Sequence, residues 1–205
     1  MKKLFVFLLL FSASLSFAQK ETVPNAAEDI CPILVGETIP AGNLKNVEGE
    51  NLGIRKLIKK QKTVLVFYRG NWCPYCNLQL NGLQEIEKDI HDLGFQVLAI
   101  SADKPEKLKE SAEDGEFRYQ LLSDAKMEYA RKLGIAYQLD DKAQKRYRAF
   151  GVKLDEQSGE KHYQLPAPAV FVLNTEGEIQ FSYINPNYKV RLAPEILLAV
   201  LKATE

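Results

Sequence analysis

The chain has 205 residues, of which 46% are hydrophobic, and its 27 Lys and Arg residues balance its 27 Asp and Glu residues. This length and apolar content are sufficient for one folded domain with its own core. The balanced charge gives no reason to expect binding to nucleic acid or to an anionic membrane surface.

The first 18 residues have the pattern of a bacterial secretory signal peptide. Lys2 and Lys3 precede an apolar stretch at 4–11, and Ser16-Phe17-Ala18 fits a small-x-small cleavage site. The apolar stretch is shorter than the roughly 20 residues of a membrane-spanning helix, so an uncleaved anchor is the minor alternative. We therefore expect export to the periplasm or beyond, no membrane span after cleavage, a lead-in at 19–30 and one domain at 31–205.

Two cysteines lie where a predicted strand is followed by a predicted helix. The run Thr63–Tyr68 is rich in β-branched and aromatic residues, as in a buried strand. Pro74 suits a first helical turn. Apolar residues then recur at helical intervals, which predicts one long amphipathic helix, at Leu80, Leu83, Ile86, Ile90 and Leu93.

This position favours a reactive thiolate. A helix N-terminus stabilises negative charge and lowers the pKa of a nearby thiol, so Cys73 and Cys76 are candidate redox residues, with Arg69 as a possible pKa modulator. The two-residue spacing lets the sulfurs cycle between dithiol and disulfide. A zinc site would need further ligands, and a purely structural disulfide remains a second alternative. The third cysteine, Cys31, is expected to be a small buried hydrophobe, although a resolving or intermolecular role stays open.

The rest of the chain predicts an α/β domain. A strand at 95–101, a helix from about 105 to 114, a short strand ending at 123 and a helix at 125–133 follow in order. Residues 136–164 read as an inserted, partly helical surface segment that can shape a substrate cleft. A β-hairpin at 169–184 and an amphipathic helix at 193–202 complete the chain. Mixed strands with helices on both faces predict a three-layer fold around a central mixed sheet.

Several motifs resemble those of one family. They are Val35-Gly-Glu-Thr-Ile-Pro40, Ser101-Ala-Asp103, Leu121-Leu-Ser-Asp124 and Pro168-Ala-Val-Phe171, together with the C-x-x-C motif. With them the chain resembles the AhpC/TSA peroxiredoxin-like proteins of the thioredoxin-fold superfamily, in the branch that carries C-x-x-C, over about residues 35–202.

The resemblance implies roles for individual residues. Pro168 matches the cis-proline that thioredoxin-like proteins place opposite their cysteines, and Trp72, Pro74, Tyr75 and Pro168 would form a docking surface for substrate. Thioredoxins attack with the first cysteine of the motif, whereas the peroxidatic cysteine of peroxiredoxins aligns with the second. The two templates therefore disagree on which sulfur reacts first.

Three positions depart from the peroxiredoxin pattern. Cys73 stands where peroxiredoxins carry Thr or Ser, and Gln79 stands where many relatives have Glu. Peroxiredoxins also use an arginine near the start of the later strand, where this chain has Pro168-Ala169. An amide cannot shuttle a proton as a carboxylate does, and lost donors remove transition-state stabilisation for peroxide.

The sequence therefore predicts an exported thiol–disulfide oxidoreductase that cycles Cys73 and Cys76, without metal or organic cofactor. Its partners would be a protein disulfide or a peroxide and a thiol electron donor, and not nucleic acid. One alternative is a thiol peroxidase for hydrogen peroxide or organic hydroperoxides, with Cys76 peroxidatic and Cys73 resolving. Another is a non-enzymatic exported binding module on the same fold.

Overall fold

The computed structural model of the protein describes residues 23–115 and 117–204. The predicted signal peptide at 1–18 and the start of the lead-in lie outside the described residues. None of the helices in these two ranges is long and apolar enough to cross a membrane.

Strands and helices alternate through most of the chain. The strands are β1 (Asn43–Lys45), β2 (Asn51–Gly53), β3 (Lys62–Tyr68), β4 (Phe95–Ser101), β5 (Gln120–Ser123), β6 (Ala136–Gln138), β7 (Gln164–Pro166), β8 (Ala169–Leu173) and β9 (Ile179–Ile184). The helices are α1 (Ile54–Ile58), α2 (Pro74–Glu85), α3 (Glu87–Asp92), α4 (Pro105–Gly115), α5 (Glu128–Lys132), α6 (Asp141–Ala149), α7 (Leu154–Ser158) and α8 (Pro194–Ala203).

A seven-stranded mixed sheet forms the centre of the molecule, in the order β2-β1-β5-β4-β3-β8-β9. Strands β3, β4 and β5 run parallel to one another, whereas β8 pairs antiparallel with both β3 and β9. Because β3 lies inside the sheet with a parallel neighbour on one side, it is apolar and buried along almost its whole length.

The two faces of the sheet are covered by separate hydrophobic clusters, as the period of two in a strand requires. Leu65 and Phe67 of β3 belong to the cluster that includes α1 and α5. Val64, Val66 and Tyr68 belong to the other, which includes α2, α3 and α8. This arrangement confirms the predicted three-layer fold. Both cysteines of the C-x-x-C motif lie in the second cluster.

The single long helix predicted after Pro74 is wrong, because the chain forms two helices. Ile86 leaves helical geometry, with φ −103° and ψ 6°, and separates α2 from α3. The break still allows Leu83 and Ile90 to enter one cluster. Similarly, α5 begins three residues later than predicted, since Met127 adopts a left-handed conformation with φ 57°.

The segment between β6 and β8 is an excursion from the main sheet, as predicted. Helices α6 and α7 lie in it, and β6 pairs antiparallel with β7 to form a separate two-stranded sheet. The Asp140 side chain begins α6 by accepting a hydrogen bond from the Ala143 N–H. The helix has no fully buried residue and lies on the surface.

Cys31 is exposed, and the prediction that it is a buried hydrophobe is wrong. It lies in the irregular segment that precedes β1, where its backbone rather than its side chain is packed. The Cys31 main chain packs closely against that of Gly134. A Cβ added to Gly134 would lie only 1.9 Å from the Cys31 carbonyl oxygen.

Candidate active site

The C-x-x-C motif lies at the carboxyl end of β3, where the chain turns into α2. Cys73 is the N-cap of α2 and Pro74 is its first residue. The Cys73 carbonyl accepts hydrogen bonds from the N–H groups of Cys76 and Asn77, at 2.9 and 3.1 Å. The sequence-based placement of both cysteines at a strand–helix junction is therefore confirmed, and Cys76 lies within the first helical turn.

Gly70 permits the tight approach of this turn to the neighbouring strand. Its φ is 152°, and a Cβ at this position would lie 2.3 Å from Trp72 Nε1 and 2.6 Å from Asp103 Oδ1. Asp103 follows β4, is completely buried and accepts a hydrogen bond of 2.8 Å from the Asn71 N–H. Burial raises the pKa of this carboxyl to about 7, so it changes charge near neutral pH.

The two thiols are free and almost completely shielded from solvent, with 1% of Cys73 and none of Cys76 exposed. The pKa of Cys73 is lowered to about 6, chiefly because the Cys76 thiol donates a hydrogen bond to it and also because of the Arg69 charge. Burial and the neighbouring Cys73 raise the pKa of Cys76 far above its usual value. The pair therefore carries one proton between two sulfurs, with the negative charge on Cys73.

Arg69 is the first cation at the site, and it is buried among aromatic rings. Its Nη1 lies 3.9 Å from Cys73 Sγ. Its guanidinium carbon lies 4.0, 4.9 and 5.2 Å from the ring centres of Tyr188, Trp72 and Tyr147 respectively. Arg69 Nη2 also donates a hydrogen bond to the Tyr147 hydroxyl. These contacts fix the charge beside Cys73, so the predicted proximity of Arg69 to the motif is present in the structure.

Arg191 is the second cation, and it approaches the other sulfur. Its Nη2 lies 3.3 Å from Cys76 Sγ, across 115 residues of sequence. It belongs to the loop between β9 and α8, which also carries Tyr188. Sequence reasoning missed Arg191, Tyr147 and Tyr188, because no local pattern links residues so far apart to the cysteine motif.

The predicted docking residues do not form one exposed surface. Pro74 and Tyr75 are exposed, Trp72 is half-buried against Tyr147, and Pro168 is buried. The expectation of a cis-proline is also wrong, because no peptide bond among residues 23–115 and 117–204 is cis. The Pro168 carbonyl accepts a hydrogen bond from the Asn185 N–H, at 3.1 Å.

A cavity of about 210 Å³ lies beside the motif, between α2 and the start of α8. Its walls are mainly apolar, and Arg191 lines one side of it. Other lining residues are Tyr75, Leu78, Gln79, Val170 and Leu197. Gln79, the position where many relatives have Glu, has a buried side-chain oxygen with no hydrogen-bond partner among the described residues.

The arrangement can perform thiol redox chemistry through its own side chains. It contains a thiolate, an adjacent thiol and two fixed cations, which together support nucleophilic attack and disulfide formation. In the part of the chain that the structure describes, no group of three or more His, Cys, Asp or Glu residues could hold a metal ion.

The known proteins that this chain resembles in sequence include several peroxiredoxins. Peroxiredoxin Bcp of Escherichia coli (strain K12) is 31% identical over 104 residues, which are 51% of this chain and 66% of that protein. The match thus spans just under two thirds of the relative's length. The chloroplastic peroxiredoxin Q of Populus jackii is 25% identical over 174 residues, 85% of this chain and 70% of that protein.

Solved structures show the same fold. Peroxidoxin BcpB from Mycobacterium tuberculosis superposes with a TM-score of 0.65 at 20% identity, covering 83% of this chain and 97% of that one. Reduced Prx3 from Vibrio vulnificus gives a TM-score of 0.68 at 16% identity, covering 83% and 99%. The sequence profile described as the AhpC/TSA family matches residues 35–182, which include both cysteines, and the chain therefore belongs to the AhpC/TSA family.

Proposed function

We propose that this protein is a thiol peroxidase that reduces hydroperoxides, with Cys73 as the attacking thiolate and Cys76 as the resolving thiol. The observation that carries the proposal is the position of Cys73 at the N-cap of α2, with Arg69 Nη1 3.9 Å from its Sγ and Cys76 in the first turn of the same helix. The lowered pKa of Cys73 agrees with this position. The peroxiredoxin names of its relatives support peroxide as the substrate.

The two sulfurs supply the electrons that reduce the peroxide, and an external thiol restores them. The Cys73 thiolate attacks the peroxide, the O–O bond breaks, and the alkoxide or hydroxide leaves and takes up a proton, so that Cys73 becomes a sulfenic acid. The Cys76 sulfur then attacks Cys73, forming the disulfide and releasing water. A thiol reductant restores both thiols and is itself oxidised to a disulfide.

Two features favour a small peroxide over a protein disulfide. Because almost no surface of either sulfur is exposed, a protein disulfide would require a much larger opening than a peroxide does. In addition, the main-chain groups opposite the motif already form hydrogen bonds within the protein. The Ala167 N–H donates to the Ile135 carbonyl at 2.8 Å, and the Pro168 carbonyl accepts from Asn185. A substrate strand would have to replace these bonds.

Thiol–disulfide exchange remains the second candidate function. It is favoured by the Cys73 thiolate at the N-cap of α2, since the same nucleophile attacks a disulfide as well as a peroxide. The exposed Pro74 and Tyr75 lie beside it and are available for contact with a partner.

Rapid mixing distinguishes the candidates. Trp72 is the only tryptophan, and it adjoins Cys73, so its fluorescence is expected to report the oxidation state of the sulfur. The reduced protein is mixed with hydrogen peroxide, with an organic hydroperoxide and with a model protein disulfide, and then compared with its Cys73→Ser and Cys76→Ser variants. If the protein is a peroxidase, hydrogen peroxide will oxidise it far faster than it oxidises free cysteine, and the Cys73→Ser variant will lose this reaction.

Other outcomes would identify the other functions. Fast exchange with the disulfide and ordinary rates with peroxide would make the protein a disulfide oxidoreductase. Fast peroxide oxidation that needs Cys76 and survives Cys73→Ser would reverse the roles of the two cysteines. Ordinary reactivity at both cysteines would favour the non-enzymatic binding module.

We further propose that the protein acts after export, because residues 1–18 have the pattern of a signal peptide. Expression of the full chain in a bacterium, followed by cell fractionation and sequencing of the protein N-terminus, tests this proposal. A periplasmic or secreted product that begins at Gln19 is expected. A cytoplasmic product that retains residues 1–18 would contradict it.

A further inference from the structure

The two sulfurs have to be reached a second time in each cycle, when a thiol reduces their disulfide, and they offer very little surface. Only 1% of Cys73 and none of Cys76 is exposed. A protein thiol would need the same large opening as a protein disulfide, whereas a thiol of a few atoms would not. The burial of the pair therefore favours a low-molecular-weight reductant.

The cavity between α2 and the start of α8 lies directly beside Cys76. Tyr75 and Gln79 line the cavity from α2, one residue before and three residues after Cys76. Arg191 also lines it, and its Nη2 lies 3.3 Å from Cys76 Sγ. The volume of about 210 Å³ equals that of about seven water molecules, so it suits a thiol with about as many non-hydrogen atoms.

The lining of this cavity favours an anion with a short apolar chain. Lys189 and Arg191 line it, and no Asp or Glu of the described residues does. The ion pairs formed within 23–115 and 117–204 include neither cation. Arg191 Nε and Nη1 and Gln79 Oε1 are buried and have no hydrogen-bond partner in the same ranges. A carboxylate next to a short chain would use these donors while its carbon atoms contact the apolar walls.

The position of the cavity also determines which sulfur the thiol reaches. Attack from this side meets Cys76, and the sulfur that must then leave is Cys73. Cys73 is the N-cap of α2, where the helix N-terminus stabilises a thiolate. A sulfur that is more stable as a thiolate leaves faster in disulfide exchange. The nearer sulfur is therefore also the one whose attack releases the better leaving group.

We propose that this cavity binds a low-molecular-weight thiol that carries a carboxylate, and that the bound thiol reduces the Cys73–Cys76 disulfide by attacking Cys76. In the first step the thiol sulfur bonds to Cys76, the bond between Cys76 and Cys73 breaks, and its electron pair stays on Cys73. A second thiol then attacks the bound thiol and forms a small disulfide, and the sulfur of Cys76 takes up a proton. The proposal rests on the disulfide formed in the proposed function.

Reduction of a preformed disulfide tests the proposal without peroxide. The Cys31→Ser protein is oxidised with diamide and then mixed with 3-mercaptopropionate, which carries a carboxylate, or with the neutral 2-mercaptoethanol. Lys189→Gln should slow the reaction with 3-mercaptopropionate about fivefold, the factor expected for one pair of charges about 4 Å apart in water. It should leave the rate with 2-mercaptoethanol unchanged. Comparing each thiol only with itself removes the difference between their intrinsic reactivities.

Lys202→Gln is the matched control. It removes the same charge from an exposed position of α8 that does not line the cavity, so both rates should stay unchanged. Gly82→Leu tests the space itself, because a Cβ at Gly82 points toward Pro194 of α8, 3.2 Å from its Cγ. The added side chain should slow the reaction with 3-mercaptopropionate more than that with 2-mercaptoethanol. Circular dichroism establishes that each variant is folded, and Lys189→Gln provides the test if Gly82→Leu does not fold.

The attacked sulfur is identified by acid quenching during the reduction, alkylation of the free thiols and mass spectrometry. The mixed disulfide with 3-mercaptopropionate is expected on Cys76, with Cys73 alkylated.

Four results would overturn the proposal. These are equal slowing of both thiols by Lys189→Gln, equal effects of Lys189→Gln and Lys202→Gln, a mixed disulfide on Cys73, and faster reduction by a protein dithiol such as thioredoxin than by 3-mercaptopropionate. If Cys73 forms no sulfenic acid with peroxide, the peroxidase function fails. The diamide-oxidised protein still tests the cavity in that case.

Discussion

At the scale of single residues, the two sulfurs of one motif have opposite environments. Cys73 receives a hydrogen bond and lies near Arg69, whereas Cys76 is the donor of that bond and is more deeply buried. The hydrogen bond from Cys76 is the largest cause of the lowered pKa of Cys73. Its removal should therefore change the reactivity of Cys73 even though Cys73 itself is untouched.

The first prediction concerns this hydrogen bond. In a Cys31→Ser background, alkylation of Cys73 by iodoacetamide should rise with pH through an apparent pKa of about 6. In Cys76→Ala the apparent pKa should move toward the usual value of a thiol, roughly 8.5, because the donor is lost. Cys76→Ser keeps a hydroxyl donor at this position, so its apparent pKa should stay below that of Cys76→Ala. Identical pH profiles in all three proteins would show that Cys76 does not activate Cys73.

Gly70 gives a second prediction, which has a control within the chain. Gly70→Ala places a Cβ within 2.6 Å of both Trp72 and Asp103, and it should reduce the free energy of unfolding by about 2 kcal/mol or more. Gly94 also has a positive φ, of 82°, but its Cβ would have no neighbour within 4 Å. Gly94→Ala should therefore cost only about 1 kcal/mol of conformational strain, as measured by denaturant unfolding. Equal losses would contradict the close packing around Gly70.

The third prediction concerns Asp103 and the pH dependence of stability. Because burial raises its pKa from 3.8 to about 7, the folded protein binds more protons than the unfolded chain between these two pH values. The free energy of unfolding of the wild type, relative to Asp103→Asn, should therefore fall as the pH rises from 4 to 7, by at most about 1.4 kcal/mol per pH unit. It should level off at higher pH. A difference that stays constant or increases would exclude a buried protonated Asp103.

At the scale of elements, helix α6 provides a cover over the motif. Tyr147 of this helix packs edge-to-face on Trp72, with ring centres 5.4 Å apart. The Tyr147 hydroxyl accepts a hydrogen bond from Arg69. Ala143 and Gln144 are also half-buried, and the other residues of the helix are exposed. The excursion between β6 and β8 therefore contributes a side chain that covers Arg69 and Trp72, next to Cys73 in the chain.

The fourth prediction tests this cover. Tyr147→Ala should increase the alkylation rate of Cys73 by a bulky maleimide several-fold more than the rate with the small reagent iodoacetamide, because access rather than acidity changes most. Phe150→Ala removes an aromatic ring just after the same helix that is 78% exposed, and it should leave both rates unchanged. An equal increase with both reagents would indicate that Tyr147 acts on the charge at Cys73 and not on access.

Elements with a strong local pattern could be predicted from the sequence, whereas contacts across the sheet could not. Strand β3, the start of α2 and the β8–β9 hairpin follow from apolar periodicity, proline and turn residues. The break at Ile86 has no local marker such as proline or glycine. Arg191 and Tyr147 reach the motif through the order of the sheet and the excursion, and the exposure of Cys31 depends on how its segment packs. Such features need the tertiary structure.

At the scale of the whole molecule, the order of the sheet assembles the site from distant segments. Strand β3 delivers Arg69 and both cysteines, and its parallel neighbour β4 delivers Asp103. On the other side, β8 and β9 lead into the loop that carries Tyr188 and Arg191. Since β3 lies between β4 and β8, these side chains meet at one edge of the sheet, around two sulfurs that share one proton.

The central claim is that the Cys73 thiolate attacks peroxide, and trapping the first oxidation product tests it most directly. Reduced Cys31→Ser, Cys76→Ser protein is mixed with one equivalent of hydrogen peroxide in the presence of dimedone, and the adduct is located by mass spectrometry. The account predicts an adduct on Cys73 that forms faster than on free cysteine. No adduct there, together with an adduct on Cys76 in the corresponding Cys73→Ser protein, would contradict it.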